Sequence, residues 1–170
     1  MGTVQKVFAY GSPGAVTRSV DDIIISVKNA SERDIPFGAP VFLAEHGAVP
    51  FDTSDSQEFD TFLGFAVRVA DKTPDAFPRG QFNDASSDGE TGVWHAGDVM
   101  EVLVRGSVAL ATVQSGSRGS RVYIRKSDGK LTTSAGTSGT TVLLENVRVR
   151  NPRNEWTATC EATVSKRNIL

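Results

Sequence analysis

The chain has 170 residues, 39% of them hydrophobic and 22% charged, with a formal net charge of −2. That length fits one domain with a core of its own, and that composition excludes global disorder. The charge excludes a whole-protein electrostatic grip on nucleic acid, which needs a basic footprint.

The first residues, MGTVQKVFAYGSPGAV, lack the apolar core of a signal peptide, and Lys6 stands where a myristoylation motif needs Ser or Thr. No apolar run has the length of a bilayer span. Residues 1–19 read as an extended arm with a turn at Gly11-Ser12-Pro13-Gly14. Residues 20–170 read as one β domain. Within it, residues 20–27 (VDDIIISV) predict a strand, and 29–34 a polar turn or a single helical turn. Residues 41–44 and 49–51 predict two short strands joined by a tight reversal at Glu45-His46-Gly47. Residues 62–69 (FLGFAVRV) predict another strand.

Residues 71–97 read as a long irregular connection, broken by Pro74, Pro78, Gly80, Gly89, Gly92 and Gly97. Its aromatics, Phe77, Phe82 and Trp94, are expected to pack on the body or on a partner. The best-ordered pattern follows at 95–124, HAGDVMEVLVRGSVALATVQSGSRGSRVYI. Gly97-Asp98 turns. Met100, Val102, Val104, Val108 and Leu110 alternate on one face, with Glu101, Arg105 and Ser107 on the other. Gly106 marks a bulge or a close backbone approach. Residues 122–124 and 130–132 pair around Asp128-Gly129. Residues 142–150 run in, Asn151-Pro152-Arg153-Asn154 turns, and 156–164 run out. On that last strand Trp156, Ala158, Cys160, Ala162 and Val164 oppose Thr157, Thr159, Glu161 and Thr163, the pattern of a half-buried strand. No window of a dozen residues carries a helical repeat. The fold class is therefore all-β: an antiparallel barrel or compact sandwich with an N-terminal arm.

Reactive constellations are missing from the sequence. His46 falls in a turn and His95 at the edge of the long loop, and no serine sits in a nucleophile-elbow setting. Cys160, the only cysteine, excludes an internal disulfide, suits a reducing compartment and alternates with apolar residues like a buried core thiol. The acids Asp52, Asp55, Glu58 and Asp60 lack the glycine and spacing of a calcium loop, as do Asp84, Asp88 and Glu90. Both groups read as solvated loops. Residues 116–119 lack the lysine of a phosphate loop. No catalytic, cofactor or metal site is assigned. Basic residues gather late, at Arg118, Arg121, Arg125, Lys126, Arg148, Arg150 and Arg153. They form either an ordinary polar face or a contact for an acidic partner.

Four segments, taken in order, resemble the structural cement proteins that decorate the capsids of tailed phages. They are ERDIPFGAPVFL (32–43), FLGFAVRV (62–69), HAGDVMEVLVRGSVAL (95–110) and SRVYIRKSDGKLTT (120–133). The carrying residues are Ile35-Pro36-Phe37-Gly38, Phe62-Leu63-Gly64, Gly97-Asp98 with Arg105-Gly106, and Val122-Tyr123 with Gly129. The resemblance spans residues 9–150. It implies a protein made in the host cytoplasm that binds the outside of the expanded head, contacts the major capsid protein, and occupies local three-fold positions as a homotrimer. It implies no membrane, nucleic-acid or cofactor partner. Phe8, Tyr10, Pro13 and Val16 are the arm residues expected to anchor on the capsid. Alternatives are another virion protein (head-completion or tail-associated), a carbohydrate-binding sandwich with Trp94 or Trp156 as sugar platform, and a small hydrolase using His95 and Asp98.

Overall fold

In this computed structural model, residues 11–53, 61–69, 92–153 and 159–166 are described. Among them the chain forms β-strands and no α-helix, as the period-two patterning and frequent turn residues dictate. The organising element is a thirteen-residue strand, β7 (Val99–Ala111). Three others pair with it antiparallel. β1 (Val16–Lys28) runs along most of its length, β5 (Phe62–Ala66) takes its first half, and β11 (Thr159–Val164) takes its second half.

From β5 the sheet continues through β3 (Pro40–Ala44) to β4 (Gly47–Pro50). The β3–β4 reversal is the predicted one, with Ala44 paired to Gly47. From β11 it continues through β10 (Thr141–Asn151) to β8 (Arg121–Arg125) and β9 (Leu131–Thr132). The predicted Asp128-Gly129 hairpin forms: Arg125 and Lys130 hold the Asp128 carboxylate, and Gly129 adopts φ 69°. Both ends of this path return toward β7 and β1 through single bridges, Thr112 to Leu131 and Asn29 to Ala48. β2 (Ile35–Pro36) and β6 (Val93–Trp94) form a separate two-stranded ribbon.

The central strands carry a core on each face. Val41, Leu63, Ala66 and Val102 enter one cluster, while their chain neighbours Phe42, Phe62, Phe65 and Leu103 enter the other. Period two sends adjacent side chains to opposite faces, and both faces here are apolar.

Several expectations change. Met100, Val102 and Val104 share one core, but Val108 and Leu110 belong to the other, with Leu103. The alternation slips at Gly106, which sits at φ 128° beside register shifts in β1. One glycine thus moves the second half of β7 to the opposite phase. The last strand is not half-buried: Thr159 and Glu161 are as enclosed as Cys160 and Ala162. Of the expected arm, residues 11–18 join the body, and β1 begins at Val16. The segment at 29–34 is a turn without helix, tied by the buried Asn29. Its amide donates to the Arg33 and His95 carbonyls at 2.9 and 3.1 Å, and its oxygen accepts from Ser31. The long connection regains structure at Val93, before its expected end at 97.

Candidate functional site

Two features give the molecule its distinctive surface: the seat of residues 11–18 and a row of polar side chains across the sheet. The seat begins at Gly14. Its N–H donates to the Ala109 carbonyl at 2.9 Å, and its carbonyl accepts from Arg68 at 2.9 Å. Gly14 and Gly38 approach so closely that a Cβ at 14 would lie 2.7 Å from the Gly38 nitrogen. Both have positive φ, 81° and 77°, so neither position tolerates a side chain. Gly38 belongs to the Ile-Pro-Phe-Gly step. Ile35 pairs with Trp94, Phe37 meets the Trp94 ring edge-on at 6.1 Å, and the Gly38 N–H donates to Ala66 at 2.8 Å. The motif is a packing knot that receives the N-terminal segment.

Of the four proposed anchors, Pro13 is half-buried beside Gly38. Val16 is half-buried and packs against the larger core of its own chain. Phe8 and Tyr10 lie outside the described residues, as do Phe77, Phe82, Trp156, Asp55, Glu58, Asp60, Asp84, Asp88 and Glu90.

Beyond Val16 the segment clamps Glu161. This carboxylate is 2% exposed, accepts from Thr17 Oγ1 and Arg18 Nε at 2.8 Å each, and also accepts from the Asn151 amide. Burial pushes its pKa up, but the Arg18, Thr17 and Asn151 hydrogen bonds outweigh that and hold it below the ordinary value. Thr159 adds a bond to the Gly11 carbonyl at 2.9 Å. Alternation along β11 predicted Glu161 on the outer face. What it missed is that residues 11–18 lie against Thr159 and Glu161.

The same face carries the row. Arg121 on β8 pairs in register with Arg148 on β10, Arg148 with Thr163 on β11, Thr163 with Ser107 on β7, and Ser107 with Arg18 on β1. In-register residues of neighbouring strands share a face. The Ser107 and Thr163 hydroxyls meet at 3.0 Å in the middle. A cavity of about 290 Å³ opens there, and Arg18, Asp22, Arg105 and Arg150 are among its lining residues. Asp22 accepts from the Ser107 N–H at 3.4 Å with one oxygen, while the other is buried with no hydrogen-bond partner among the described residues. Burial pushes the Asp22 carboxyl above the ordinary aspartate value.

The late basic residues divide. Arg125 pairs with Asp128, and Arg153 donates to the Thr112 carbonyl at 2.7 Å. Arg118, Arg121, Arg148 and Arg150 are exposed.

No constellation for catalysis assembles among the described residues. His46 is exposed in the β3–β4 reversal. Asp98 does not serve the His95 imidazole: its carboxylate accepts from the His95 main-chain N–H at 2.9 Å, and the ring faces Asp34 at 3.2 Å. Cys160 is fully buried, and burial raises its thiol pKa. Among the described residues no group of three His, Cys, Asp or Glu side chains is placed to hold a metal ion. Trp94 is 4% exposed and donates to the Val67 carbonyl at 3.0 Å, so it offers no sugar platform.

No curated protein matches the chain. It is similar in structure to a chain of the solved capsid of Myoviridae phage XM1, with a TM-score of 0.68 over 96% of both chains. At 15% identity that likeness is one of fold. Residues 2–164 match the family model described as structural cement protein, with E217 gp24 and Pam3 gp6 as its named examples. The match runs through all four segments described above and on through β10 and β11, and on it the chain belongs to the phage structural cement protein family.

Proposed function

We propose that this protein binds the outer surface of an expanded tailed-phage head and stabilises it. The family match over residues 2–164 carries that reading. The mechanism is mass action. A protein that binds the assembled, expanded lattice better than its subunits or its immature form stabilises the lattice by that difference. Many copies on one shell multiply a modest contact energy. The reading asks no chemistry of the chain. It asks for a rigid body, and a core on each face of the central strands suits that demand.

The proposed site is the local three-fold position, filled by a homotrimer, because a closed oligomer matches a lattice axis of the same order. The proposed partner is the major capsid protein, with no membrane or nucleic acid involved, after synthesis in the host cytoplasm. Within the arm, Phe8 and Tyr10 are the anchors to test first, with Pro13 next. Val16 is last, since it already packs on its own core.

The test is co-sedimentation with expanded capsids and, in parallel, with procapsids. Saturable binding to the expanded shell alone, at hundreds of copies per head, is the expected result. Binding to neither shell overturns the reading. A stoichiometry of a dozen or fewer reassigns the protein to a head-completion or tail position. Truncation of residues 1–10 reads the arm: unchanged affinity removes Phe8 and Tyr10 from the interface.

A further inference from the structure

The row across the sheet is electrically lopsided. At its β1 end the cations are answered within the chain. Arg18 pairs with Glu161 at 2.8 Å, and Arg105 pairs with Asp21 at 3.5 Å. Away from the row, Arg125 is answered by Asp128. At the β8–β10 end no such answer exists among the described residues. Arg121 and Arg148 are register partners, both exposed, and neither is in an ion pair. Arg148 donates to a carbonyl, that of Gly119, at 3.0 Å. Arg150 lies two residues along β10, exposed, at the rim of the central cavity. Like charges in register on adjacent strands repel one another. A chain with net charge −2 has acids enough to answer them, yet none among the described residues pairs with these arginines.

From this we propose that Arg121, Arg148 and Arg150 form the electrostatic contact for a carboxylate-bearing surface of the capsid shell. This rests on the capsid-decoration reading above. The side chains are all arginines, whose planar forks grip oxyanions such as carboxylates and phosphates in pairs. The extent of the patch favours a protein surface with discrete carboxylates over nucleic acid. The patch is short, and along the same face it gives way to the ion pairs Arg18–Glu161 and Arg105–Asp21, which add no net positive charge to hold a continuous run of phosphates. The strands beneath are packed on the larger core, so the guanidinium groups project from a stiff platform. Such contacts set approach rate and orientation more than total affinity.

The experiment compares wild type with the Arg121→Glu/Arg148→Glu variant in binding to expanded capsids over a range of sodium chloride concentrations. Lys28→Glu, an exposed reversal at the far end of β1, is the control. The expected result is affinity weakened by about tenfold or more, with a shallower salt dependence, while the control binds like wild type. A melting curve verifies the fold. If the reversal unfolds the protein, the Arg121→Gln/Arg148→Gln variant is read in the same way. Wild-type affinity in a folded variant overturns the inference and leaves decoration standing. So does unchanged shell binding with lost binding to a duplex DNA probe, which assigns the arginines to nucleic acid. So does unchanged shell binding with altered self-association, which assigns them to a second copy. Failure of wild type to bind the shell overturns both readings together.

Discussion

Asp22 reaches from β1 to the backbone of β7 at Gly106, and its carboxylate occupies the space a side chain at 106 would need. The two residues define the point where β7 changes phase between the two cores. Gly106→Ala forces a Cβ into that carboxylate at a φ that side chains avoid. The expected loss is about 1–3 kcal/mol, read from urea unfolding. Adding Asp22→Ala removes the clash but not the backbone strain, so the double variant recovers only part of that loss. Full recovery would show that the φ requirement contributes nothing.

Asp22 itself is a liability at neutral pH. Its folded pKa is raised, first by burial, so the folded state holds the proton more tightly than the unfolded one. The stability linked to it is greatest in acid and falls as pH rises through the folded value. Asp22→Asn is therefore expected to raise the melting temperature by a few degrees at neutral pH, with the gap closing in acid. A gap independent of pH would mean that charge is not the cause.

Glu161 has the opposite sign. Its folded pKa is depressed below 4.5 by its three hydrogen-bond donors, so its contribution is complete above that value. It is lost as pH falls through the folded value. Glu161→Gln keeps the volume but weakens the bonds from Arg18, Thr17 and Asn151, and is expected to cost about 1–3 kcal/mol at pH 7. Hydrogen exchange gives a sharper readout. The Ala109 N–H, which donates to the Ala15 carbonyl, should exchange faster if Glu161 holds the N-terminal segment down.

Trp94 pins the β2–β6 ribbon to the body through its bond to Val67 and its edge contact with Phe37. Trp94→Ala is expected to lower stability by about 3–5 kcal/mol. Trp94→Phe keeps the ring contact, loses the hydrogen bond and should fall between the two.

Cys160 is enclosed in the larger core with a raised thiol pKa, first because of burial. A thiol reagent in excess should label it only as fast as the protein opens, and denaturant should accelerate labelling in step with unfolding. Rapid labelling of native protein would place the thiol near solvent.

Much of this was legible in the sequence because the turn residues are local. Asp128-Gly129, Gly97-Asp98 and Glu45-His46-Gly47 each specify their reversal within a few residues, and the strands beside them follow by alternation. Gly106 was legible as a break, but not as a change of phase, because that depends on which core each half of β7 meets. The seat of residues 11–18 was hidden for a similar reason. Their polar and glycine-rich composition reads as a free arm, and only the fold shows Gly38 and Glu161 waiting to receive them. Arginines more than twenty positions apart became neighbours through the β8–β10 register, which no local pattern encodes.

The dependence of three strands on β7 has a consequence for the order of events at the ribosome. β1 is made first, yet its partner begins only at Val99, and the clamp on Thr17 and Arg18 waits for Glu161. Neither core can close on the nascent chain until most of it has emerged. Folding is therefore expected to be slow, cooperative and largely post-translational, in keeping with pairings so distant in sequence. A truncated product ending before β11 would lack both the partner for the second half of β7 and the carboxylate that fastens the chain's beginning, so incomplete chains should fail as a whole and never reach the capsid as half-built copies.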